Sequence, residues 1–86
     1  MSRDEVLAEV KAILADLARD QAVLSASPDT PLLREGVGLD SLGGTLLLVR
    51  VKERFGVDVA GEDLNLDSMA SIGALSAFVA NRITSR

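Results

Sequence analysis

Apolar residues recur at steps of three and four at the start of the chain, where Val6, Leu7, Val10, Ile13, Leu14 and Leu17 form one stripe with Lys11, Asp16 and Arg19 off it. This spacing predicts an amphipathic helix running to about Asp20, and Ser2 followed by Glu5 supplies the S-x-x-E capping box that would start it. Over 21–39 the periodicity collapses into Ala, Ser, Pro, Asp, Thr and Gly, and Pro28 and Pro31 exclude a continuous helix. A loop of that length needs anchors, and Val23, Leu24, Leu32, Leu33 and Val37 are the apolar residues available to pack it across the core. Helical spacing returns over 41–55, SLGGTLLLVRVKERF, with Asp40 at or just before the N-cap and Gly56 as a left-handed C-terminal cap. Its expected buried stripe is Leu42, Leu47, Leu48, Val51 and Phe55. Val57 and Val59 then alternate in period two, and the polar turn after them has room for one helical turn over 62–66. A last helix is predicted over 71–82, with Ser71 as N-cap and Ile72, Leu75, Phe78, Val79 and Ile83 inward. No stretch reads as a strand. The fold class that follows is all-α: a small four-helix bundle, three main helices and one short one, with a long loop between helices 1 and 2.

Composition restricts the chemistry. The 86 residues, 48% hydrophobic and 26% charged, are expected to form a single domain spanning 1–86, with one core and no sizeable interior cavity. There is no Cys, His, Trp or Tyr. Disulfides and thiolate metal sites are thereby excluded, and without imidazole any reactive hydroxyl must be activated by another protein. No catalytic residue and no metal ligand is assigned. Asp58, Glu62, Asp63 and Asp67 do not keep calcium-loop spacing, and no Gly-Lys-Ser phosphate cradle occurs. The net charge of -4 and a pI near 4.6 disfavour nucleic acid and anionic membranes as partners. No apolar run approaches the roughly 20 residues needed to span a bilayer, and MSRDEVLAEV carries charge where a secretory signal would be apolar. A soluble, cytoplasmic protein is the expectation.

Two segments share wording: GLDSLGG over 38–44 and LDSM over 66–69. Taken alone, Asp40-Ser41 is a helix cap. It is not a hydrolase elbow, because Leu39 stands where G-x-S-x-G requires glycine and no histidine exists to take the proton. LDSM is followed by Ala70-Ser71-Ile72 and introduces the last helix.

Over nearly its whole length the sequence resembles the acyl carrier and peptidyl carrier proteins. The features that carry the resemblance are a first amphipathic helix, a long loop holding D-T-P-L-L, G-L-D-S-L opening a second helix that ends in R-F-G-V-D-V, and a terminal helix introduced by S-I. The resemblance implies that Ser41, rather than Ser68, receives a covalent 4'-phosphopantetheine arm from coenzyme A, delivered by a phosphopantetheinyl transferase with Mg2+. Asp40 would assist the transferase and its Mg2+, or serve as a cap. Leu42 would pack inward, the leading reading, or touch a partner enzyme. A serine at a helix N-terminus suits a phosphodiester, and a chain without cysteine must borrow the thiol on which a thioester forms.

Fatty-acid carriers usually show an acidic second helix, whereas this one contains Arg50, Lys52 and Arg54. Lys52 and Arg54 also suit the negative end of the helix dipole. Leu46 and Val49 fall beside the expected buried stripe, on the side reached from Ser41 through Thr45. With Arg50 they are expected to form a docking surface, as in carriers of nonribosomal peptide or specialised polyketide pathways; the alternative is a wide buried face. Gly43 and Gly44 each lower helix stability by about 1 kcal/mol relative to Ala, either to leave room for an approaching enzyme or because the helix begins weakly. The implied function is a free-standing, monomeric, non-catalytic carrier that presents an acyl or aminoacyl thioester to loading and downstream biosynthetic enzymes. The alternatives are a carrier of fatty-acid synthesis, a D-alanyl carrier, and an unmodified helical interaction module.

Overall fold

A computed structural model describes residues 2–32 and 36–84. Helix α1, Arg3–Ala18, opens on the expected capping box: Ser2 Oγ accepts from the Glu5 amide and Glu5 Oε1 accepts from the Ser2 amide, both at 3.2 Å. It stops short of Asp20 because Arg19 turns left-handed, φ 54°, and Asp20 gives its carboxylate to the Ala22 amide at 3.0 Å. Such a side-chain bond competes with helix continuation and here starts a 3-10 turn, Gln21–Ser25. Val6, Val10 and Leu14 are fully buried, with Leu7, Ile13 and Leu17 packed against them.

The long loop is anchored, though not by every expected residue. Val23 and Leu32 are buried and Val37 is partly so, but Leu24 is 45% exposed, because the 3-10 turn directs Val23 inward and its neighbour out. Leu33 lies outside the described residues. The carbonyls of Pro28 and Thr30 accept from the amides of Gly73 and Ile72 at 2.7 and 3.0 Å, so the loop satisfies the start of the last helix.

Helix α2, Ser41–Phe55, ends at Gly56, φ 72°, in the left-handed cap expected of it. Leu47 and Val51 are fully buried, and Leu48 and Phe55 pack against the core. Leu42 departs from the expected stripe: it is 67% exposed. At 3.6 residues per turn a step of five from Leu42 to Leu47 crosses to the opposite face of the helix, so Leu42 cannot share the buried side. The short helix α3, Val59–Glu62, forms earlier than 62–66, because Asp58 Oδ1 caps the Gly61 amide at 3.2 Å. Val57 and Val59 are buried at its start and do not form a strand. A second 3-10 turn, Asp67–Ala70, leads into α4, Ile72–Thr84, where Ser71 Oγ accepts from the Ala74 amide at 3.0 Å. Ile72, Leu75 and Val79 are fully buried, with Phe78 and Ile83 beside them.

The result is the expected all-α bundle of three long helices and one short. Among the described residues there is no strand, only an isolated bridge between Pro31 and Ser71. Helix α1 packs against both α2 and α4, while α3 packs on α2. Arg50 and Arg54 of α2 pair with Asp16 and Glu9 of α1. No described helix is long and apolar enough to cross a membrane.

Candidate functional site

The segment Gly38-Leu39-Asp40-Ser41 gives one task to each residue. Gly38 holds φ 81°, a left-handed conformation that glycine adopts without steric penalty. Leu39 is then buried at 7% exposure, with its amide bonded to the Leu32 carbonyl at 3.1 Å, so the segment is pinned to the core. Asp40 is extended, φ -89° and ψ -173°, and its Oδ1 accepts from the Gly43 amide at 2.7 Å. Ser41, the first residue of α2, is exposed, and its hydroxyl has no hydrogen-bond partner among the described residues. Thr45 donates to the Ser41 carbonyl at 3.0 Å and tightens the first turn. A Cβ on Gly43 would come within 3.1 Å of Leu39 Cδ2 and 3.2 Å of Asp40 Oδ1, so glycine spares both side chains a shift of a few tenths of an ångström.

An exposed, unpartnered hydroxyl at the positive end of a full-length helix is suited to bearing a phosphodiester. The residues present therefore fit a phosphate-linked group at Ser41.

Two faces of α2 extend from this serine. On one, Leu42, Leu46 and Val49 follow at steps of four and three and are 67%, 44% and 48% exposed, an apolar stripe opposite the buried side. Thr45 is exposed between Ser41 and that stripe. Arg50 is also exposed, but its guanidinium points to Asp16 Oδ2 at 3.1 Å. On the other face Ser41, Gly44, Thr45 and Leu48 line an open groove of about 850 Å3 whose far wall is the segment from Leu66 to Ala70.

Sequence reasoning did not find that groove. Its α2 side was legible as an i, i+3, i+7 series from Ser41, but its far wall depends on the left-handed Leu66, φ 55°, which nothing in the residue type announces.

Ser68, in the similarly worded LDSM, is placed differently. It is buried at 7% exposure within the second 3-10 turn, with its amide bonded to Asp63 Oδ2 at 2.9 Å. Its hydroxyl meets no acceptor in hydrogen-bonding geometry among the described residues. Hydroxyl and amide together nevertheless hold the Asp63 carboxyl below its ordinary pKa.

A four-helix bundle with an exposed serine at the head of its second long helix has the architecture of a small carrier domain. The chain matches the protein-family model described as the phosphopantetheine attachment site over residues 8–79, and it belongs to that family. No curated protein and no solved structure matches it. The family carries covalently attached 4'-phosphopantetheine; its carrier domains are generally non-catalytic, are modified by a phosphopantetheinyl transferase and interact with biosynthetic enzymes.

Proposed function

We propose that Ser41 is the attachment residue and that the protein is a free-standing, monomeric, cytoplasmic carrier of acyl or aminoacyl groups in polyketide or nonribosomal peptide biosynthesis. The observation that carries the first part is the contrast between the two D-S segments: Ser41 is exposed and unpartnered at the head of α2, whereas Ser68 is buried. In the modification, Ser41 Oγ bonds to the phosphorus bearing the pantetheine as that phosphorus separates from the departing adenosine bisphosphate. The hydroxyl proton passes to a base of the transferase, since this chain has no histidine. Asp40 serves two roles at once. Oδ1 caps Gly43, and Oδ2, which makes no hydrogen bond among the described residues, faces the transferase and its Mg2+. When bound, the arm supplies the thiol that a chain without cysteine lacks.

Thr45, Leu46, Val49 and Arg50, joined by the exposed Leu42, form the surface on which partner enzymes dock. The pathway reading rests on the character of that surface, which is largely apolar over 42–49 and carries the cation Arg50 rather than acidic residues. Incubation with coenzyme A, Mg2+ and a broad-range phosphopantetheinyl transferase tests the attachment. Intact mass is expected to rise by one phosphopantetheine in the wild type and in Ser68→Ala, and to stay unchanged in Ser41→Ala. A gain that survives Ser41→Ala, or no gain at all, sinks the assignment.

A further inference from the structure

The arginines that pair with acids in this bundle are not held alike. Arg54 grips Glu9 through two nitrogens, Nη2 to Oε1 at 2.6 Å and Nε to Oε2, and its guanidinium lies over the Phe55 ring, 5.4 Å from the centroid. Arg82 likewise brings both Nε and Nη2 to Glu62 and stacks over Phe78. Arg50 has neither support. Among the described residues its one bond runs from Nη1 to Asp16 Oδ2 at 3.1 Å, so most of the N–H donors of its fork are unspent. Asp16 is also the more replaceable acid: its side chain is 67% exposed against 35% for Glu9, and release returns it to water at little cost.

Position gives this loosely held arginine a use. Leu46 and Arg50 are four residues apart and so are neighbours on the helix surface, which sets the guanidinium at the edge of the exposed stripe Leu42, Leu46 and Val49. Arg50 also borders an open cleft of about 520 Å3 between α1 and α2, lined by Ala12 and Ile13, where a second carboxylate has room to approach. Glu53 lines the cleft too but pairs with neither arginine among the described residues, which leaves Asp16 as the acid to displace.

Building on the docking surface proposed for α2, we infer that Arg50 is an exchangeable cation: when a partner enzyme covers the stripe, a carboxylate beside that enzyme's apolar pocket takes the place of Asp16, while Arg54 and Glu9 stay paired and hold α1 against α2. A carboxylate that meets two parallel N–H groups makes a stronger contact than the single bond it replaces, and arginine alone offers that fork. One exposed ion pair is traded for another. The exchange therefore selects partners that carry an acid at that place without making docking strongly dependent on salt.

Two synthetic amphipathic helices serve as probes, identical except that one carries Glu and the other Gln one turn beyond a face of leucines. Binding at low salt is followed by the amide NMR shifts of Leu46 and Val49 and by the Nε–Hε resonances of Arg50 and Arg54. The Glu helix is expected to bind about threefold more tightly than its twin, a gain of the size an exposed ion pair supplies, and to move the Arg50 resonance but not that of Arg54. Asp16→Asn, which removes the competitor, should widen the preference. Arg50→Gln should abolish it, and Arg50→Lys, which keeps the charge without the fork, should retain only part. Arg54→Gln should lower the melting temperature and leave the preference intact. Equal affinity of the wild type for two helices that both fail to bind Leu46→Asp overturns this proposal alone, as does a preference that survives Arg50→Gln or narrows in Asp16→Asn. If neither helix binds the wild type, or both bind Leu46→Asp as well as the wild type, the docking surface falls and this proposal with it.

Discussion

One oxygen of the Asp40 carboxylate accepts the capping bond from Gly43, so the structural role can be tested apart from the role proposed for the carboxylate's charge. Its capping bond to Gly43 belongs to a class whose loss on substitution by Ala lowers stability by about 1 kcal/mol, while Asn caps about as well as Asp. The two substitutions therefore separate the roles. Asp40→Ala is expected to lower the melting temperature by about 4–8 °C, the shift that follows from about 1 kcal/mol in a domain of this size. Asp40→Asn should melt close to the wild type. Both should be modified more slowly by the transferase, because both lack the anionic oxygen offered to Mg2+; normal modification of Asp40→Asn would reduce Asp40 to a cap. From its neighbours Ser41 was legible only as part of a helix start; it became a candidate through the resemblance of G-L-D-S-L to the carrier proteins. The burial of Ser68 was not legible, since it follows from the Asp63 carboxylate reaching forward to a backbone amide, a contact that residue types alone do not specify.

At the scale of the element, α2 presents three separate faces, and the register between them decides what each leucine does. Leu47 and Val51 face the core, Gly44 and Leu48 line the groove, and Leu42, Leu46 and Val49 face solvent. The expectation that Leu46 and Val49 lie outside the buried stripe agrees with their exposure. The inward reading of Leu42 failed because a run of leucines offers several plausible periodicities, and only the helix angle rejects a step of five. Arg50 was singled out as a docking cation, yet it reaches across to Asp16, and an exposed pair of this kind contributes at most about 1 kcal/mol. Leu46→Asp is accordingly expected to change stability by less than about 0.5 kcal/mol while weakening loading by partner enzymes. Because the stripe is uncharged, that loading should also vary little with ionic strength, unlike docking through opposite charges. Unimpaired loading of a folded Leu46→Asp variant, or loading that collapses in moderate salt, would remove the apolar stripe from the interface.

Across the whole molecule, the parts hardest to read in the sequence are those where distant segments satisfy one another. The anchors of the long loop were largely visible as apolar residues, but its service to α4 runs through the carbonyls of Pro28 and Thr30, which every residue type possesses. The same holds for the register of α3, set by the Asp58 carboxylate, and for the polar run after it, where Asp63 ties itself to Ser68. Two of these carboxylate contacts carry a pH signature. The pKa of Asp63 lies below its ordinary 3.8, chiefly through the Ser68 hydroxyl and then the Ser68 amide, and that of Glu5 lies below 4.5 through the amide and then the hydroxyl of Ser2. In both cases the folded protein binds protons less readily than the unfolded chain, so each group's stabilisation is fully present above its ordinary pKa and is lost as pH falls through the lower folded value. The melting temperature should therefore begin to drop as pH falls below about 4.5, and continue dropping below 3.8 as Asp63 joins Glu5. Asp63→Asn, whose amide oxygen can still accept from Ser68, should fold and show a shallower decline over the lower part of that range. Glu5→Gln, which keeps a capping-box acceptor, should flatten the upper part. Melting curves recorded from neutral to acid pH on the three proteins decide the matter, and a decline in Asp63→Asn as steep as in the wild type would mean that the Asp63 carboxylate does not hold the segment around Ser68 in place.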